Sequence, residues 1–69
     1  MSSNIMAQVD PAHIDMLTRL IEAFDHLGIV STLDRNQGLV VIRGTEDTVV
    51  DLLEILNNLP FPLTILTQE

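Results

Sequence analysis

The spacing of apolar residues switches between two periods four times within 69 residues, and that succession constrains the fold more than any motif. Over Asn4–Val9 the side chains alternate, with Ile5, Ala7 and Val9 to one side and Asn4, Met6 and Gln8 to the other. A period of two marks a strand. From Asp10 the period lengthens to that of a helix. Ile14, Met16, Leu17, Leu20, Ile21, Ala23, Phe24 and Leu27 fill one half of the helical wheel; Asp15, Thr18, Arg19, Glu22, Asp25 and His26 fill the other. Asp10 suits an N-cap, Pro11 the first helical position and Gly28 a C-terminal cap, so a helix is expected from Asp10 to Gly28.

Two β-branched runs follow, Ile29–Asp34 and Leu39–Arg43, joined by Arg35–Gly38 with Gly38 at a positive φ. Uninterrupted pairing across this hairpin sets Asp34 against Leu39, Leu33 against Val40, Thr32 against Val41 and Val30 against Arg43. One face then carries Ile29, Ser31, Leu33, Val40 and Ile42, and the other Val30, Thr32, Asp34, Leu39, Val41 and Arg43. Thr45–Leu59 reads as a second helix, capped by Thr45 and ended by Pro60. Its apolar stripe is Val49, Leu52, Leu53, Ile55, Leu56 and Leu59. The last strand runs over Phe61–Gln68, with Phe61, Leu63 and Ile65 facing inward. Pro62 lacks the ladder N–H, which assigns this strand to a sheet edge.

The order is βαββαβ, the split β-α-β arrangement of ferredoxin-like α+β folds. It implies a four-stranded antiparallel sheet in the order 4-1-3-2 with both helices on one face. A single domain over residues 4–69 is expected, with residues 1–3 a disordered N-terminus. A chain of this size buries only ~60% of its unfolded surface. A hydrophobic content of 46% still supplies a core. Cysteine is absent, which excludes disulfides and thiolate metal sites and suggests a reducing, cytoplasmic setting. No apolar run reaches the ~20 residues of a membrane span, and "MSSNIMAQVD" has no signal-peptide pattern. Three basic residues against ten acidic ones give a net charge of −7, with no lysine at all. Such a surface repels phosphate backbones and anionic lipid, so neither nucleic acid nor membrane is an expected partner.

With both helices on one side, the other sheet face is left open. Met6, Gln8, Val30, Thr32, Asp34, Leu39, Val41, Arg43, Thr64 and Leu66 are assigned to it. Burying ~300–500 Å² of apolar area there is worth roughly 8–12 kcal/mol gross, offset in part by the costs of association. Contiguous exposed apolar patches mark contact surfaces. Met6, Val30, Thr32, Leu39, Val41 and Leu66 are therefore the expected interface of a homodimer, through the open face or an edge strand. The wide apolar arc of the first helix (Met16, Ala23, Leu27) points the same way.

Residues suited to chemistry are sparse. His13 and His26 stand roughly 140° apart on a helix and cannot share an ion. Ser2, Ser3 and Ser31 have no His–Asp setting, and no glycine-rich phosphate loop occurs. Asp47, Asp51, Glu54 and Asn58 form a solvated helix stripe. No cofactor, metal or catalytic residue is expected. Asp10, His13, Asp34, Arg35 and Arg43 remain as a ligand site or a solubilising polar rim. Asp34 and Arg43 share the open face, where they either ion-pair or hold a ligand carboxylate.

Two family resemblances follow from these elements. The βαββαβ order resembles the ACT family of small-molecule-sensing regulatory domains over nearly the whole chain. That likeness implies dimerisation and an amino-acid ligand. ACT domains often carry a glycine between the first strand and first helix; the junction here reads "VDPAHI". The stretches "VDPAHIDMLTRLIEAFDHLGIVSTLD", "GLVVIRGT" and "LLEILNNLP" are similar to a small bacterial family known only as a domain of unknown function, over about residues 9–62. That resemblance implies a compact protein and assigns no activity. The preferred expectation is a non-catalytic homodimeric interaction module, with an unidentified protein partner also open. The alternative is an ACT-like domain binding a metabolite at a dimer interface. A dimeric-barrel enzyme and an RNA-binding sheet follow, the latter disfavoured because Phe24 and Phe61 are both assigned to the core.

Overall fold

The computed structural model describes residues 3–24 and 27–68; Met1, Ser2, Asp25, His26 and Glu69 lie outside the described residues. Alternation in "NIMAQV" and the β-branched run "LVVIRG" make two strands whose buried sides coincide. These are β1 (Ser3–Val9) and β3 (Leu39–Gly44), paired antiparallel with Ile5 opposite Ile42 and Ala7 opposite Val40. All four of those side chains are fully buried. β2 (Ile29–Asp34) pairs with β3 and β4 (Leu63–Gln68) with β1, giving the sheet order β2-β3-β1-β4. This is the expected 4-1-3-2 order read from the other edge, and β4, behind Pro62, is at an edge. The strand β1 begins at Ser3, one residue before the expected start.

Two helices, α1 (Ile14–Glu22) and α2 (Val49–Asn57), cover one side of the sheet. Ile14, Leu17 and Ile21 of α1 and Leu52 and Leu56 of α2 meet Ile5, Ala7, Val9, Val40 and Ile42 in one apolar cluster. The expected stripe of α2 is complete, with Val49, Leu53, Ile55 and Leu59 packed around its margin.

Helix boundaries depart from expectation at three points. Asp10 caps as foreseen, its carboxylate accepting from the Ala12 N–H at 2.9 Å, but Pro11–His13 forms a 3-10 turn before α1 begins. The far end of α1 is shorter than expected. Ala23 N–H still donates to Arg19, but Phe24 N–H donates to Ile21, three residues back, and the helix closes. Gly28 is therefore no helix cap. A Cβ there would stand 2.8 Å from the Arg43 carbonyl oxygen, so this residue lets the chain pass close to β3. The second helix starts later than expected: residues 46–48 form a turn, Thr48 and not Thr45 stands at the N-cap position of α2, and the Thr48 hydroxyl accepts from the Thr45 N–H at 2.9 Å.

The hairpin holds the largest correction. Asp34 pairs with Leu39 as expected, but a bulge between Thr32 and Asp34 shifts all earlier pairs by one. Thr32 then faces Val40, Val30 faces Ile42 and Ile29 faces Arg43. An inserted residue reverses the facing of everything before it. Val30 and Thr32 thus belong to the helix side, where Val30 packs on the core, and not to the open face. β3 itself faces as expected.

Gly38 closes the turn at φ +69°, and its carbonyl accepts from the Val9 N–H at 2.9 Å. Any Cβ at this residue would overlap the Val9 carbonyl. At ~0.05–0.15 kcal/mol per residue, a 69-residue domain is held by only about 3–10 kcal/mol. Gly38→Ala combines a left-handed penalty of ~1–2 kcal/mol with that overlap. It is expected to cost more than about 2 kcal/mol by urea unfolding. Leu17→Ala, which empties a fully buried site, is expected to cost about 2–5 kcal/mol. If either variant unfolds at the wild-type midpoint, the packing described here is wrong.

Candidate functional site

The open face of the sheet is assembled by direct pairing. Met6 lies opposite Val41 and Thr67, Ser31 opposite Val41, Asn4 and Ile29 opposite Arg43, and Gln8 opposite Leu39 and Thr64. Leu33, the residue inserted at the hairpin bulge, joins Met6 and Val41 on the same face. A second irregularity, between Met6 and Ala7, leaves Leu66 as an extra residue between Ile65 and Thr67. Of the residues assigned to this face, Met6, Leu39 and Val41 lie on it by pairing, and Leu66 is 44% exposed at the irregularity. Ile29 at 62% and Leu33 at 50% exposed take the places assigned to Val30 and Thr32. Val41 is already 7% exposed within one chain, so it forms the floor of this surface.

The polar residues expected at the rim do not converge. Asp34 accepts from the Asn36 N–H at 3.0 Å and the Gln37 N–H at 3.3 Å, which commits its carboxylate to the turn. Arg35 reaches toward the helix layer, 3.7 Å from the Asp15 carboxylate, with both side chains well exposed. Asp10 is engaged in its cap. His13 stacks on Phe61, ring centroids 4.7 Å apart and planes 23° from parallel, with Nδ1 buried and without a hydrogen-bond partner. Four of the five expected residues therefore serve local structure. Arg43 differs: among the described residues no carboxylate lies within ion-pairing distance of it.

Arg43 borders a groove of about 200 Å³ on the open face, lined also by Asn4, Met6, Leu33, Val41 and Thr67. Sequence reasoning assigned Met6, Val41 and Arg43 to this face, and the alternation of β1 turned Asn4 the same way as Met6. It missed Leu33 and Thr67, because no period-two pattern reveals an inserted residue. A larger hollow of about 410 Å³ lies on the helix layer between Phe24, Leu27, Asp51, Glu54, Ile55 and Asn58. Phe24, expected in the core, is 47% exposed there, because α1 ends before reaching it. A third, of about 360 Å³, sits at the junction of β1 with the 3-10 turn, against Asp10, Pro11, Gln37 and Pro62. Among the described residues no three His, Asp or Glu side chains gather as metal ligands. No helix among them is long and apolar enough to cross a membrane. His26 lies outside the described residues.

A family model described as a domain of unknown function (DUF4911) matches residues 7–62. The chain belongs to this family. The match runs from the middle of β1 through Pro62, so it takes in both helices, the hairpin and the Val9–Gly38 contact. The family DUF4911 carries no assigned activity. A match is found neither among curated proteins nor among solved structures.

Two substitutions separate structural from functional roles at the rim. Asp34→Ala removes an acceptor shared by two backbone N–H groups and is expected to lower stability by about 1 kcal/mol. Arg35→Ala breaks an exposed ion pair and is expected to change it by less than about 1 kcal/mol. Thermal unfolding of the two variants side by side checks the ranking; a larger loss for Arg35→Ala would overturn it.

Proposed function

We propose that the chain is a non-catalytic interaction module that pairs with a second copy of itself through the open sheet face. The observation that carries this reading is the way β2 is turned. The bulge sends Val30 and Thr32 toward the helices and leaves the larger aliphatic residues Ile29 and Leu33 outside. For a solitary chain that choice wastes apolar burial. Local choices that oppose a single chain's own stability are expected where a surface serves a function.

Charge distribution favours a second copy as the occupant. In a chain of net charge −7, Asp34, whose carboxylate is committed to the hairpin turn, is the one acidic residue that strand pairing places on the open face among the described residues; the others there are Asn4, Met6, Gln8, Ile29, Ser31, Leu33, Leu39, Val41, Arg43, Thr64 and Thr67. The carboxylates of Asp15, Glu22, Asp51 and Glu54 lie on the helices instead. Two identical acidic chains meet with least repulsion sheet to sheet. The helix layer, despite exposed Met16, Phe24 and Val50, carries the repelling charge. A standard interface takes ~800 Å² from each partner. That is about a fifth of the 4413 Å² surface, so a stable pair must use most of one face.

A second reading, an ACT-like ligand-sensing domain, is favoured by the hollow at the β1 junction, where the topology would place a metabolite. An amino acid present at 100 times its dissociation constant would add ~2.7 kcal/mol to stability. A thermal-shift panel of amino acids with no response sinks that alternative.

For the preferred reading, sedimentation or light scattering at micromolar concentration should give a dimer. Ile29→Glu with Leu33→Glu, both at well-exposed positions, should return a folded monomer, with association weakened at least about tenfold. A wild-type chain that stays monomeric up to several hundred micromolar would remove the proposal.

A further inference from the structure

Arg43 is one of three cations in the sequence, and on the open face it has no anionic neighbour among the described residues. The groove beside it has both apolar and polar lining: Met6, Leu33 and Val41 supply the first, and Asn4, Thr67 and Arg43 the second. Apolar walls with a few convergent donors are the usual form of a small-ligand site. At about 200 Å³ the groove is smaller than the ~300–1,000 Å³ of sites for drug-sized molecules, so its ligand is small.

The chemistry narrows the ligand further. Arginine presents a planar fork that matches a carboxylate with two parallel hydrogen bonds. A single guanidinium in a chain of net charge −7 suits a singly charged anion better than phosphate, whose second charge the surrounding field repels. The apolar lining requires a hydrocarbon portion beside the charged group. We infer that the Arg43 groove is a binding site for a small monocarboxylate with a short, branched aliphatic tail. Arg43 grips the carboxylate, Asn4 and Thr67 supply further hydrogen bonds, and Met6, Leu33 and Val41 receive the tail.

The inference deepens the dimer reading and rests on it in one respect. A second copy laid on the face would shield Arg43 from water, and a shielded guanidinium without an anion is strongly unfavourable. The carboxylate removes that penalty, so ligand and partner should bind cooperatively. In a lone chain the same groove binds the ligand more weakly.

The test is an amide-resolved NMR titration of the full chain with 3-methylbutanoate at constant ionic strength, with sedimentation run on the same samples. Saturable shifts centred on Asn4, Leu33, Val41 and Thr67 are expected. Binding should weaken about tenfold or more in Arg43→Gln and less in Arg43→Lys, which keeps charge but loses the fork. Neutral 3-methylbutanamide should bind at least about tenfold more weakly, and inorganic phosphate should not displace the carboxylate at equal concentration. The dimer dissociation constant should fall as the carboxylate is added. No saturable shift in the wild type, equal binding by Arg43→Gln, or equal competition by phosphate each overturns the site. Arg43-dependent binding by a chain that sedimentation shows to be monomeric supports the site and overturns the dimer alone.

Discussion

Everything in this fold leans on the seam between β1 and β3. Ile5, Ala7, Val40 and Ile42 are wholly enclosed there, and each helix contributes its most buried residues to the same cluster. A shift of one residue along this seam would turn an entire apolar set outward. Two devices oppose such a shift. Alternation in both strands is unbroken where they pair, and the Gly38 turn closes over the end of β1 by hydrogen bonding to Val9. Since Gly38 sits against the Val9 carbonyl with no room for a side chain, the hairpin and the first strand are positioned together.

From that fixed seam the two sides of the sheet diverge. The helix side is apolar and closed. The outer side is apolar at its centre, and Asp34, turned into the hairpin turn, is the one acidic residue that pairing places on it among the described residues; Asp15, Glu22, Asp51 and Glu54 lie on the helices. On the proposed reading, this distribution of charge is what would let the acidic chain meet a second copy across the outer side at low electrostatic cost. Arg43 is the one positive side chain on it among the described residues, which links whatever covers the face to whatever neutralises that charge.

Much of this was legible in the residues. The succession of periods gave six elements in order, and Pro62 correctly placed β4 at an edge. The core residues of β1, β3 and α2 followed from periodicity alone, because long-range packing there agrees with local pattern. Three features were not legible. The end of α1 was misplaced because Gly28 looks like a cap, whereas its smallness serves a close pass by β3. Phe24 was put in the core on the strength of that longer helix. The facing of β2 was reversed because one inserted residue changes no composition and breaks no obvious pattern; Val30 and Leu33 are both good strand residues on either side. Of the candidate site, Arg43 and its neighbours Met6 and Val41 were placed on the right face. The engagement of Asp10, Asp34 and Arg35 with nearby partners depends on turn geometry that spacing does not specify.

The irregularities in β2 and β4 have a consequence at the level of assembly. These are the two outermost strands, and each departs from a regular ladder, β2 close to its hairpin end and β4 near its middle. An outermost strand with an uninterrupted row of N–H and C=O groups invites another chain to add alongside it without limit, toward filaments. Here both flanks are kinked, and β4 is preceded by a proline. Bulges on both outermost strands and a proline ahead of β4 disfavour lateral addition, which on the proposed reading leaves the broad outer face as the surface that a single partner would fill and end.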